Sequence, residues 1–108
     1  MLFRSVVGNG APGTTTLNYP DIVILDGAGY VFIVDESNFR VVGSGPTGFR
    51  CIVGCSGKSG SDANRLSFPF GLSFDNRGNL FVSDASNNRI QKFTLARNSC
   101  GEWFVIVF

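Results

Sequence analysis

The chain has 108 residues, a formal net charge of +1, 16% charged residues and no histidine. This length allows one small domain, and the balanced charge gives no electrostatic reason to expect binding to nucleic acid or to an anionic membrane. The absence of histidine excludes the Ser-His-Asp triad, histidine general bases and most zinc sites within the chain.

The first predicted element is a strand at residues 3–8. Its sequence, Phe-Arg-Ser-Val-Val-Gly, matches Phe-Arg-Cys-Ile-Val-Gly at residues 49–54 with a spacing of 46. Each of these segments precedes a loop rich in Gly, Ser, Thr and Asn, as expected for a connection on the surface. We therefore predict that both segments are outer strands of repeated units.

The chain repeats itself after each of these strands, at an offset of 49 residues. Residues 17–43 and 66–92 share nine identical residues in register. In the first copy these residues are Leu17, Pro20, Asp26, Gly29, Phe32, Asp35, Ser37, Asn38 and Arg40. Self-similarity with a period of 20–50 residues indicates a repeat architecture.

The second copy predicts three short antiparallel strands. Pro69 opens a strand over residues 70–75, and the next two strands cover residues 79–84 and 89–95. The first turn has Asp and Gly at the positions where a side-chain cap and a positive φ are needed, and the second turn is polar. With an outer strand added, each copy becomes a four-stranded antiparallel unit, which is typical of a propeller blade.

The second copy resembles an NHL repeat, the blade unit of one family of β-propellers. The resemblance is carried by Pro-Phe-Gly-Leu-Ser-Phe-Asp at residues 69–75, and by residues 78–84 and 87–93. The first copy departs from this pattern at three positions, where the family has glycine, asparagine and a polar turn residue: Ile22, Tyr30 and Phe39.

The resemblance implies an all-β fold of two four-stranded antiparallel β-propeller blades of the NHL type, forming a partial propeller. We expect a single segment over residues 1–108, with an outer strand at 3–8, blade one at about 20–54 and blade two at about 69–108. Two blades do not close a ring, because propellers typically have 4–8. The chain is therefore expected to be a fragment of a longer propeller or, alternatively, to assemble with further copies.

The most distinctive polar residues recur in both copies. Asp35 and Asp84 each end a strand, and Arg40 and Arg89 each open the next, so a hairpin brings each pair together. Recurrence in every blade indicates a structural ion pair rather than a catalytic or ligand-binding pair. The predicted structural repeat motif consists of Asp26, Gly29, Asp35, Asn38, Arg40, Asp75, Gly78, Asp84, Asn87 and Arg89.

No catalytic residue, metal ligand or cofactor is predicted. The turn at residues 35–38 is rich in oxygen atoms but lacks the rest of a calcium-binding loop, and the second copy has Ala85 in place of Glu36. The loop at residues 54–60 contains Gly-Lys-Ser, but Ile52 occupies the position of the first glycine of a phosphate-binding loop.

Three cysteines, Cys51, Cys55 and Cys100, allow at most one disulfide within the chain. In an extended segment Cys51 and Cys55 would be about 13 Å apart, at roughly 3.3 Å per residue, which is beyond disulfide reach. We therefore expect a Cys51–Cys100 or Cys55–Cys100 disulfide in preference to Cys51–Cys55. Three reduced, partly buried thiols remain the alternative.

Two aromatic residues and the last segment lie outside the repeat pattern. Phe39 and Trp103 stand where the repeat has polar or smaller residues, so they either mark an interaction surface or pack beneath a neighbouring blade. Residues 103–108 are uncharged and β-prone. This segment is predicted either to be an exposed edge or to pair as the outer strand of blade two.

The resemblance implies a non-catalytic binding or scaffold module whose loops contact a protein or another ligand. Its expected partners are a protein or further propeller blades, from copies of this chain or a parent protein, with no nucleic acid and no membrane span. The alternative is part of a six-bladed propeller enzyme, of the lyase or lactonase type, whose metal ligands lie outside this chain. The cysteine count and loop composition favour an extracellular setting without identifying the ligand.

Overall fold

The computed structural model describes residues 6–8, 16–46 and 48–106. Within these ranges the chain is all-β, with three antiparallel sheets, and no helix there is long and apolar enough to cross a bilayer. The predicted strand at 3–8 lies partly outside the described residues, and residues 6–8 form a bend. The strands are β1 Pro20–Leu25, β2 Val31–Asp35, β3 Arg40–Gly45, β4 Gly48–Val53, β5 Pro69–Phe74, β6 Leu80–Asp84, β7 Arg89–Phe93, β8 Leu95–Arg97 and β9 Trp103–Val105.

The first sheet has four strands in the order β1-β2-β3-β4. Its central strands are rich in Val, Ile and Phe, which suit a pleated surface that is buried on both faces. A tight hairpin joins β3 and β4, with Gly45 opposite Gly48, and Gly48 takes a φ of +107° that a residue with a side chain rarely adopts. This sheet has the predicted architecture of one complete blade.

The second sheet repeats the first in register but has three described strands, in the order β5-β6-β7. The same irregularity occurs at the start of each sheet, between Pro20 and Val23 in β1 and between Pro69 and Leu72 in β5. Residues 103–108 are predicted either to pair on β7 as the fourth strand of blade two or to be an exposed edge. Instead, β9 pairs with β8 in a separate two-stranded sheet, and residues 107–108 lie outside the described range.

A local turn explains why the last segment forms its own hairpin. Gly101 has a φ of +80°, and its N–H donates to the carbonyl of Asn98 over 2.9 Å. The Asn98 side chain also accepts hydrogen bonds from the backbone N–H groups of Cys100 and Glu102, each at 3.0 Å. The chain therefore reverses at Asn98–Gly101, where the repeat would place an outer strand.

The core lies between the first two sheets. β6 directs Leu80 and Val82 towards the first sheet, and β2 directs Phe32 towards the second, where its ring meets that of Phe74 at a centroid distance of 4.9 Å. Trp103 completes this cluster, and its ring centroid lies 5.4 Å from that of Phe32. The buried members of the core are Phe32, Val41, Ile52, Val53, Leu66, Leu80, Val82 and Phe93.

The turn after each second strand ends in a left-handed residue. Phe39 has φ 57° and ψ 40°, and Asn88, at the same position in the second copy, has φ 52° and ψ 43°. Asparagine tolerates this conformation, whereas a bulky side chain is strained in it. Phe39 is held by an edge-to-face contact with Phe68 of the second copy, at a centroid distance of 5.0 Å.

We expect an Asn88→Phe variant to lose about 1 kcal/mol of unfolding free energy, because it adds the strain of Phe39 without a described partner such as Phe68. Urea denaturation measures the change. Asn88→Gly is the control and should alter stability by a few tenths of a kcal/mol, since glycine adopts positive φ readily. An Asn88→Phe chain as stable as the natural one would contradict this account.

Candidate functional site

The first recurring ion pair lies at the end of β2 and buries its carboxylate completely. The Asp35 carboxylate is 0% exposed and accepts a hydrogen bond from Arg40 Nε at 2.7 Å. Asn38 Nδ2 donates to the same carboxylate at 2.8 Å, and the backbone N–H of Asn18 donates at 2.6 Å. The carboxylate thus joins the turn, the start of β3 and the segment that leads into β1.

The second ion pair has the same geometry, and its arginine makes more hydrogen bonds. Asp84 is 0% exposed and accepts from Arg89 Nε at 2.7 Å, from Asn87 Nδ2 at 2.9 Å and from the backbone N–H of Ser67 at 2.7 Å. The rest of the Arg89 guanidinium donates to backbone carbonyls of the preceding loop, including those of Ser61 and Asp62 at 2.8 and 2.9 Å. Asp84 and Arg89 therefore attach the loop to the second sheet, and their polar atoms are occupied by the protein itself.

The pKa of Asp84 lies below its ordinary value. Burial of the carboxylate acts to raise the pKa, but the hydrogen bonds from Asn87, Ser67 and Arg89 together outweigh this effect. The pKa of Asp75 is also lowered, mainly because the Asn79 side chain and backbone donate to its carboxylate. In contrast, partial desolvation and the neighbouring Asp21 raise the pKa of Glu36.

We expect the unfolding free energy to fall as the pH drops through about 4. A carboxyl group with a lowered folded pKa adds stability above its unfolded pKa, near 4, and this stability is lost as the pH falls through the folded value. Glu36 has the opposite sign, because its raised pKa adds stability at low pH that is lost as the pH rises. Urea denaturation between pH 2 and pH 8 tests the expectation.

The control for this pH profile is Asp62→Asn, because the Asp62 side chain is 69% exposed and lies outside the hydrogen-bonded groups around Asp84 and Asp75. The unfolding free energy of the Asp62→Asn variant should depend on pH in the same way as that of the natural chain. An unfolding free energy that stays constant between pH 5 and pH 2 would contradict a role for Asp84 and Asp75 in acid sensitivity.

The other recurring acids shape the turns between the first two strands of each sheet. Asp26 Oδ1 accepts from the backbone N–H groups of Ala28 and Tyr30 at 2.9 Å each. Asp75 does the same with Arg77 and Asn79, also at 2.9 Å. The glycine of each turn has a positive φ, +88° at Gly29 and +81° at Gly78. Every residue of the predicted repeat motif thus lies in a turn or an ion pair of the fold.

The expected pairing of the cysteines is wrong in the structure, which joins Cys51 to Cys55 and leaves Cys100 as an exposed free thiol. The expectation assumed an extended segment, but β4 ends at Val53 and Gly54 has a φ of +74°. The chain therefore turns back, and the two Cα atoms lie 5.7 Å apart, within disulfide reach.

Alkylation of the unfolded, oxidised chain should modify a single thiol, that of Cys100, and alkylation after reduction should modify all three. Mass spectrometry of the peptides measures both numbers. A disulfide-linked peptide containing Cys100 would restore the original expectation. Cys100→Ser is the matched control, since its oxidised form should take up no alkylating reagent.

The two unusual aromatic residues are both packed against the protein. Phe39 contacts Phe68, which is 44% exposed. Trp103 is half-buried between the edges of the Tyr30 and Phe32 rings, with the Arg97 guanidinium 5.4 Å from its own ring centroid. Two alternatives were open for Trp103, an interaction surface or packing beneath a neighbouring blade. In the structure Trp103 packs against the first sheet.

The second sheet has an outward side that was not identified from the sequence. Its outward side carries Phe81, Ser83, Ile90 and Lys92, which we call the open blade face; Ile90 is 66% exposed. An offset of 49 residues maps Phe81 and Ile90 onto Phe32 and Val41, both 0% exposed in the core. The repeat register pairs the equivalent positions, but the sequence alone does not show which of the two copies is covered.

Metal binding receives no structural support from the described part of the chain. No group of three or more His, Cys, Asp or Glu side chains in the described residues is placed to hold a metal ion. The Asp84 carboxylate is engaged by Arg89 and Asn87, and the Asp75 carboxylate by Asn79. The carboxylates of the second copy are thus engaged in the fold.

Comparison with known families agrees with the repeat. A family model described as the NHL repeat matches residues 66–93, which contain β5, β6 and β7. A search of curated proteins finds no match for the chain. The matched residues include the buried Asp84, the Asp75 turn and the Arg89 ion pair. The family model thus identifies residues 66–93 as an NHL repeat.

Proposed function

We propose that the chain is a non-catalytic binding module that associates with protein through the open blade face. The observation that carries this proposal is the repeat equivalence of Phe81 and Ile90 to Phe32 and Val41. In the first sheet these positions are 0% exposed, with Phe32 against Phe74 of the second sheet and Trp103 of β9, and in the second sheet Ile90 is 66% exposed. A surface that one repeat buries against its neighbour is suited to the same contact with another protein surface.

The partner favoured by this geometry is another blade, either from a longer parent protein or from a further copy of the chain. Stacked repeats bury a continuous core, and about three or more repeats are usual for stability. The side chains that cover Phe32 and Val41 supply the model for such a partner. They are the apolar face of a three-stranded antiparallel sheet, with Leu80, Val82 and Phe93.

Sedimentation equilibrium of the purified chain tests this function. We expect an average mass above 11.6 kDa that rises with concentration, because the exposed apolar face favours association. Ile90→Lys should return the chain to a monomer by adding a charge to the open blade face. Phe104→Lys is the matched control, since Phe104 is 43% exposed on β9, which belongs to neither of the two blade sheets.

Two results would contradict the proposal. A natural chain that is monomeric at all concentrations, with no effect of Ile90→Lys, would show that the face does not associate. Turnover by the purified chain in a lactonase or lyase assay would favour a catalytic role, as in six-bladed propeller enzymes. A mass three times that of the chain would identify the partner as further copies closing a ring.

A further inference from the structure

The outer edge of β7 differs from the equivalent edge in the first sheet. β3 pairs with β4 along its length, from Val42 opposite Cys51 to Gly45 opposite Gly48. On β7, by contrast, none of the described strands pairs on the side away from β6. An unpaired strand edge presents backbone N–H and C=O groups that another extended chain can bind.

A groove of about 610 Å³ lies beside this edge. Residues 91–93 of β7 line it together with Ile52 and Val53 of β4, and Val105 and Ile106 border it. Ile52, Val53 and Phe93 also belong to the core between the sheets. The groove is therefore continuous with an apolar interface that the fold already buries, and an incoming strand would extend that interface.

The repeat register indicates the chemistry of the incoming strand. In the first sheet, Gly43 lies opposite Arg50, and a Cβ at Gly43 would be 2.9 Å from the Ile52 side chain. The equivalent residue in β7 is Lys92, which is exposed. A strand that pairs with β7 would therefore face the ammonium group of Lys92, whereas β4 faces Gly43, which has no side chain.

A carboxylate opposite Lys92 would be attractive, and an arginine there would be repelled, because directly opposed like charges destabilise a strand pair. The strand β4 of a second copy would place Arg50 at this position. The similar segment at residues 3–8 has arginine at the matching position as well. Charge thus disfavours both of these segments of a second copy relative to a segment with a carboxylate at this position.

We propose that the outer edge of β7 binds an extended acidic segment of a different polypeptide by strand addition, with a carboxylate opposite Lys92. Main-chain hydrogen bonds supply affinity in this mode, and alternate side chains supply specificity. Lys92 Nζ lies 5.9 Å from the centroid of the Phe81 ring on β6, so its side chain lies on the sheet face that a residue directly opposite Lys92 on an incoming strand would share. This inference rests on the proposed role as a binding module, but it concerns main-chain pairing along the edge of β7, to which Lys92 of the open blade face adds charge specificity.

Two synthetic peptides test the proposal on the full chain. The first is acetyl-Gly-Phe-Glu-Ser-Val-Val-amide, and the second has Arg in place of Glu. Titration followed by amide NMR should show binding of the Glu peptide about two- to fivefold more tightly at low salt, with shifts at Arg89–Phe93. Lys92→Glu should reverse the preference, and Lys58→Glu, an exposed lysine outside the groove, should leave it unchanged.

Several results would overturn the proposal. These are no binding of either peptide, shifts that avoid Arg89–Phe93, or a preference that Lys92→Glu leaves unchanged. Concentration-dependent shifts along β7 without peptide would show that a second copy occupies the edge instead. The Ile90→Lys sedimentation test reports on the open blade face, so a failure of strand addition is distinguishable from a failure of the proposed function.

Discussion

An Asp84→Ala variant is expected to lose about 3–5 kcal/mol of unfolding free energy, because it leaves the Arg89 charge without its buried partner. The carboxylate is 0% exposed and also accepts hydrogen bonds from Asn87 and the backbone of Ser67. The total free energy of unfolding of a small domain is only about 5–15 kcal/mol. Urea denaturation followed by circular dichroism should therefore show a much lower midpoint or an unfolded chain.

Asp62→Ala is the matched control, because it removes the same group from an exposed ion pair. Asp62 lies 3.6 Å from Arg65 Nε and its side chain is 69% exposed, so its loss should change stability by less than about 1 kcal/mol. If Asp84→Ala were as mild as Asp62→Ala, the recurring ion pair would not be needed for the fold. A ligand-binding role for Asp84 would then have to be reconsidered.

The strands of the repeat could be predicted from sequence because their signals are local. The expected strands at 70–75, 79–84 and 89–95 correspond to β5, β6 and β7 to within two residues at each end. Alternation sets the faces of such strands, and Asp-x-x-Gly turns set their ends. The two ion pairs were predictable for the same reason, since each joins residues on either side of one turn.

The disulfide and the last hairpin could not be predicted in this way because each depends on a single reversal of the chain. Gly54, with φ +74°, brings Cys55 back towards Cys51. Asn98 organises the turn that pairs β9 with β8. In both places the repeat pattern favoured an extended strand, and a local turn prevailed over that pattern.

The open blade face was missed for a different reason, since exposure depends on which sheet lies next to it. Phe32 and Phe81 have the same place in the repeat, and their sequences give no hint that one is buried and the other is not. Only the arrangement of the sheets shows that Phe32 meets Phe74 and Trp103. Equivalent residues thus acquire different environments because the second sheet has no described neighbour on its outward side.

Truncation of Phe32 should also have a large effect on stability, and its equivalent Phe81 supplies the comparison. Phe32→Ala is expected to lose about 3–5 kcal/mol of unfolding free energy, because it leaves a cavity among Phe74, Trp103 and the other core residues. Phe32 is 0% exposed, and its ring makes edge contacts at centroid distances of 4.9 and 5.4 Å. Urea denaturation at low protein concentration measures this loss.

Phe81→Ala is the control, because it makes the same change at the equivalent position of the second copy. On the open blade face it should cost less than about 1 kcal/mol in the monomer, since much less contact is lost. At higher protein concentration the cost should increase, because association would bury Phe81 as the second sheet buries Phe32. Equal costs for the two variants in a monomeric chain would contradict both the exposure of this face and the binding function proposed for it.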